Sequence, residues 1–196
     1  MKKSAVAPVL TLLAALGVTV AATPAQAARG AVSSTQVQTS SAATDVTSTL
    51  RLEPMGDSIT AGYQSSTGNG YRGPLWDELT GEGHPLDFVG SDKDGTMSDP
   101  DNEGHSGWRI DQLAAITDSS LATYKPNVVT LMIGTNDMGQ NYQVSTAPAR
   151  LKSLVDQILN DDPTVTVLLA NLIVSTNTVV EANEPAFNAA IPGIVQ

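Results

Sequence analysis

Ser58, Gly107 and Asn136 are the residues whose types and settings could do chemistry. Ser58 lies in Gly56-Asp57-Ser58-Ile59-Thr60 and Asn136 in Gly134-Thr135-Asn136-Asp137, each just past an apolar segment. A serine hydroxyl becomes a nucleophile when a base takes its proton. The tetrahedral intermediate then needs donors aimed at its oxyanion. Ser58 offers a hydroxyl and, at the start of a helix or turn, its own N–H. Asn136 adds a side-chain amide. Gly107, in His105-Ser106-Gly107-Trp108, can bring a backbone N–H close because it has no side chain. Each string alone is an ordinary turn; the three together point to acyl transfer.

Strands must carry these residues to one place. Residues 51–56 read as a short strand, with Pro54 expected near its end. Residues 71–80 read as a helix with Leu75, Trp76 and Leu79 on one face. Residues 86–90 read as a second strand, and residues 91–106, rich in Asp and Gly, as a long loop. A helix is expected from Arg109 to about Leu121 and a strand, buried on both faces, over 127–133. Leu151, Leu154, Val155, Ile158 and Leu159 define an amphipathic helix that starts near Pro148 and stops at Asp162-Pro163. Residues 164–170 read as another buried strand, and a last helix is expected from Asn183, interrupted by Pro192. Strands alternating with helices predict an α/β three-layer sandwich on a parallel, flavodoxin-like sheet. Ligands bind such sheets at the carboxyl ends of the strands.

Ahead of this domain, Lys2 and Lys3, an apolar run from Ala5 to about Ala22 and Ala25-Gln26-Ala27 read as a secretory signal over residues 1–27. The run is long enough for a membrane anchor, but the Ala-x-Ala exit favours cleavage and an extracellular product with no membrane association. Residues 28–50, rich in Ser, Thr, Ala and Gln, read as a linker. That leaves 51–196 as one domain. The formal net charge is −10. Cleavage would remove two lysines and no acid, so the mature chain would carry −12. Such a surface repels nucleic acid. There is no cysteine, which excludes disulfides and thiolate chemistry.

With those blocks in order, the chain resembles the SGNH hydrolases, also called the GDSL esterase/lipase family. Residues 87–91 (Asp-Phe-Val-Gly-Ser), 103–108 (Glu-Gly-His-Ser-Gly-Trp) and 190–195 (Ala-Ile-Pro-Gly-Ile-Val) resemble carbohydrate esterase family 3 more narrowly. The resemblance implies Ser58 as nucleophile, and an oxyanion hole of the Ser58 N–H, the Gly107 N–H and the Asn136 side chain. It implies no metal and no organic cofactor. The expected substrate is an acetyl ester on a polysaccharide such as xylan. A lipase or lysophospholipase of the same family is the alternative. The family's base comes from a C-terminal Asp-x-x-His block, which has no match here. The expectation is therefore a C-terminally incomplete domain that lacks its last strand. An inactive carbohydrate-binding remnant is the reading from another class.

Two histidines are present. His105, two residues from Gly107, is read first as packing its loop and second as a substitute base; His84 is weaker still. Asp92, Asp94, Asp99, Asp101 and Glu103 read as a solvated acidic loop rather than a calcium site. Tyr63 and Trp108 are candidate sugar-stacking rings. Asp57 and Asp137 are expected to hold their own turns by local hydrogen bonds.

Overall fold

The computed structural model describes residues 49–195. The expected signal segment (1–27) and nearly all of the expected linker (28–50) lie outside the described residues. The elements run β1 (Leu50–Gly56), α1 (Ser58–Ala61), α2 (Arg72–Gly81), β2 (Leu86–Phe88), β3 (Asp92–Lys93), β4 (Asp101–Gly104), α3 (Ile110–Tyr124), β5 (Val128–Met132), α4 (Thr135–Gly139), α5 (Ala147–Asp161), β6 (Thr166–Leu169) and α6 (Thr178–Ala190).

A mostly parallel sheet forms the centre, in the order β3-β4-β1-β5-β6, with β2 also pairing β1. Only β3 is antiparallel, as a hairpin partner of β4. The register aligns the carboxyl ends of the three middle strands: Gly56 lies opposite Gly104 on one side and Met132 on the other. Helices cover both faces. Glu53 and its neighbour Val129 face α3, where Ser120 meets Glu53. Thr130, one residue on, points the other way, and its hydroxyl lies 3.2 Å from that of Tyr71 just before α2. The apolar core includes Met55, Leu113, Leu131, Leu154 and Ile158, all fully buried. The apolar period of α5 accounts for its burial of Leu151, Leu154, Val155 and Ile158.

Four expectations change. Pro54 sits within β1, not near its end. The Leu52 and Gly56 carbonyls accept from Val89 and His105, so by alternation the Pro54 nitrogen faces the same edge. It falls where β1 changes partner from β2 to β4, so the missing N–H leaves no ladder bond broken. Residues 91–106 are not one loop. They include β3 and β4, and β4 is a sheet strand beside β1. Its sequence, Asp-Asn-Glu-Gly, carries no apolar signal; hydrogen bonds to buried Asn102 and Glu103 satisfy it instead. The β6 strand is not buried: its residues alternate between exposed and half-buried, with Leu168 46 % exposed. The last helix starts at Thr178, where Asn177 caps it, and carries Pro185 inside; Pro192 lies in the following 3-10 turn.

Candidate active site

The end of β1 is shaped by what Gly56 lacks. A Cβ there would lie 2.4 Å from the Met132 carbonyl and 2.3 Å from Thr60 Oγ1. Glycine lets β1 and β5 end side by side, which brings the segments after them together. Asp57 then caps α1: its Oδ1 accepts the Ile59 N–H at 2.9 Å. Ser58 is the first residue of α1, so its N–H has no partner within the helix. Asp57 is fully buried, and burial pushes its carboxyl up to about 6 against the opposing hydrogen bond from Ile59.

The β4 strand delivers the second piece. The His105 N–H donates to the Gly56 carbonyl at 3.0 Å, and the Trp108 N–H closes a turn on the His105 carbonyl at 3.1 Å. Gly107 is the third residue of that turn, with φ +85°. Type II turns need glycine at this position. The two ring-bearing residues that bracket the turn stack on each other, at 3.9 Å between centroids and 22° between planes.

The β5 strand delivers the third. Asn136 is the second residue of α4, and its Nδ2 donates to the Trp108 carbonyl at 2.8 Å. Ser58, Gly107 and Asn136 thus follow the aligned ends of three adjacent strands, by two, three and four residues. One hydroxyl and three N–H groups are gathered on one rim. A cleft of about 310 Å³ opens on the β3–β4 side, lined by residues that include Ala61, Asp92, Asp94, Gly104, His105 and Trp108 but not by Ser58, Gly107 or Asn136.

The other candidates fall out differently. His105 is engaged at both ring nitrogens: Nε2 lies 2.6 Å from Glu103 Oε1, and Nδ1 3.1 Å from Asp92 Oδ2. Both nitrogens face carboxylates, which agrees with the first reading, loop packing, and not with the substitute base. His84 is half-exposed beside Glu82. Trp108 spends one ring face on His105, whereas Tyr63 is 69 % exposed. Asp137 does not serve its own turn. Its Oδ2 accepts the Ile110 N–H at 3.0 Å and its Oδ1 meets Arg150 at 2.6 Å, so it fastens α4 to α3 and α5. The acidic residues of 92–103 are bound within the protein: Asp99 accepts from the Phe88 N–H, Asp101 pairs with Lys93, and Asp94 accepts from Asn102.

Sequence reading missed Arg72 and Glu53. Arg72 is fully buried, and its guanidinium donates to the carbonyls of Thr60, Ala61, Gly68, Asp94 and Pro100. It ties the segment after Ser58 to the segment before β4. Glu53 is buried in the middle of β1, where burial pushes its carboxyl up to about 7. A lone charged residue in each local pattern gave no cue to either.

The profile of the GDSL-like Lipase/Acylhydrolase family matches residues 55–195. Among solved structures, a family 3 carbohydrate esterase of Clostridium thermocellum is similar at 38 % identity and a TM-score of 0.69, over 76 % of this chain and 72 % of that one. An acetyl esterase variant crystallised with an acetate ion is similar at 28 % identity and a TM-score of 0.63, over 75 % and 72 %. A protein of Acetivibrio thermocellus that carries the provisional name endoglucanase X is 37 % identical over 87 residues, 44 % of this chain. That match spans 36 % of the relative's length.

Proposed function

From the GDSL-like lipase/acylhydrolase family, to which this chain belongs, we propose a secreted serine esterase that removes small acyl groups, foremost acetyl, from a polysaccharide such as xylan. The observation that carries the reading is the common placement of Ser58, Gly107 and Asn136 past the aligned ends of β1, β4 and β5. Likeness to a family 3 carbohydrate esterase and to an acetyl esterase supports the ester class and the small acyl group. Secretion rests on the composition of residues 1–27.

In this mechanism Ser58 Oγ attacks the ester carbonyl. The Ser58 and Gly107 N–H groups and the second Asn136 amide hydrogen hold the oxyanion. The sugar hydroxyl leaves, and water then releases the acyl group from Ser58. The Ser58 proton passes to a base and from it to the leaving sugar oxygen; the family resemblance assigns that base to an Asp-x-x-His block, for which residues 1–196 hold no match. His105 does not take that part, because both its nitrogens already face carboxylates.

Acetate release from acetylated xylan, measured beside hydrolysis of soluble esters of increasing acyl length, tests the reading. Turnover that falls as the acyl chain lengthens is expected. Preference for long acyl chains, with no acetate released from xylan, would replace it with the lipase reading.

A further inference from the structure

Ser120, on α3, stands between two buried carboxyl groups. Its Oγ is hydrogen-bonded to Glu53 Oε1 and lies 2.9 Å from Glu103 Oε2. A hydroxyl has one hydrogen to donate, and an ionised carboxylate can only accept. Both contacts are therefore satisfied only if one of the two glutamates carries a proton. Glu103 is surrounded by donors: the Ser91 N–H at 2.9 Å, the Ser91 hydroxyl at 2.8 Å, and His105 Nε2 at 2.6 Å. Among the described residues, Glu53 has no donor besides Ser120, and its second oxygen is buried with no partner. The proton belongs on Glu53, which donates to Ser120, and Ser120 donates to Glu103.

Charge acts at the outer end. His105 faces Glu103 through Nε2 and the half-exposed Asp92 through Nδ1. The Nε2 hydrogen bond to Glu103 and the Asp92 carboxylate 3.1 Å from Nδ1 set negative charge on both sides of the ring, which favours the imidazolium form of His105. A cation stacked on the Trp108 indole gains from the ring's electron-rich face. His105 and Trp108 are the two ends of the turn that presents Gly107, and the Trp108 carbonyl holds the Asn136 side chain.

We propose that neutral Glu53, Ser120, ionised Glu103 and cationic His105 form a positioning relay that runs from the core to the oxyanion-hole turn and fixes the Gly107 N–H and the Asn136 amide. The relay rests on the esterase reading only for what it positions. No proton leaves the relay during turnover; it acts through its charge state. The groups that face it are Glu53 from β1, Ser120 from α3, Glu103 from β4, and Asp92 and Asp94 from β3 and the residue after it. The directions agree with the count. Burial raises Glu53 to about 7, with Ser120 opposing and Glu103 assisting. Burial also acts to raise Glu103, but the hydrogen bonds from His105, Ser91 and Ser120 outweigh it and leave it below the usual carboxylate range. The hydrogen bond to Glu103 leads the rise of His105, ahead of Asp92 and Asp94. Ionisation of Glu53 would place a second negative charge against Glu103 and remove the proton that separates them.

Carbon-13 carboxyl and imidazole nitrogen resonances, followed against pH in the full chain, test this. Glu53 is expected to titrate near neutrality, and the His105 signals to move in the same step. Glu53→Gln keeps a neutral donor toward Ser120 and cannot ionise, so it should abolish that His105 step. In turnover of a small acetyl ester, kcat should drop about tenfold between one pH unit below and one above the Glu53 step, with KM unmoved. Glu53→Gln should displace this alkaline limb to higher pH. A Glu53 carboxyl already ionised in mild acid would overturn the relay. A limb that Glu53→Gln leaves in place would overturn its positioning role. If no Ser58-dependent hydrolysis is found, the esterase reading fails, and the resonances still decide the relay.

Discussion

The Asn136 side chain donates to the Trp108 carbonyl at 2.8 Å and so joins the segment after β5 to the segment after β4. One amide hydrogen is spent on this tie, and the other is free for an oxyanion. Asn136→Ala removes both, and Asn136→Asp replaces the donor with an acceptor. Each is expected to lower kcat by about 100- to 1,000-fold, the usual effect of losing one such donor. Steady-state kinetics on a small ester checks it; kcat within threefold of wild type would remove Asn136 from the hole.

Gly107 separates conformation from space. Among the described residues nothing lies within 4 Å of a Cβ placed there, but its φ is +85°. Gly107→Ala meets no clash and pays only for the left-handed backbone, about 1–2 kcal/mol. The turn should relax and move the N–H. Expected is a kcat loss of at least about tenfold with a fall in Tm of only a few degrees. Unchanged kcat would mean that this N–H is not part of the hole.

Arg72 makes a stability prediction. Lysine carries the charge but cannot reach five carbonyls with a planar fork. Arg72→Lys should cost at least about 3 kcal/mol, since several buried carbonyls lose a charged donor. A denaturant melt measures it. A cost below about 1 kcal/mol would show that the two segments hold without the clamp.

Stability should decline toward alkaline pH. Glu53 is raised from 4.5 to about 7, so the folded chain holds its proton more tightly than the unfolded one. That contribution is full below pH 4.5 and is lost as pH rises through 7, about 3 kcal/mol in all. Asp57 acts in the same sense between 3.8 and about 6. His105, also raised, contributes fully below 6.5 and loses that contribution as pH rises past its folded value. Glu103, lowered, works in the opposite direction and loses its contribution as pH falls through and below the usual carboxylate range. Melting temperatures at pH 5 and 8 check the balance: a higher Tm at pH 5 is expected, with a smaller difference in Glu53→Gln. A higher Tm at pH 8 would contradict it.

The parts of the fold that carry an apolar period were legible in the sequence. The α5 stripe and the β5 run lie close to their expected bounds, and the Ser58 and Asn136 blocks fall at strand ends as the alternation implies, whereas the strand that carries Gly107 has no apolar signal. What was missed has a common cause. The β4 strand, Glu53 and Arg72 are buried polar structure, stabilised by partners far along the chain: Glu53 meets Ser120 sixty-seven residues away. Local pattern cannot show such pairs. Pro54 misled for a similar reason, because its tolerance in β1 depends on where β2 ends and β4 begins.

Hydrolysis of a small acetyl ester by the wild-type chain and by Ser58→Ala, at equal concentration and with fold checked by circular dichroism, tests the central claim most directly. The account predicts turnover in the wild type and its fall in Ser58→Ala to no more than the residual catalysis that the oxyanion hole alone retains. Equal turnover in the two proteins would contradict it.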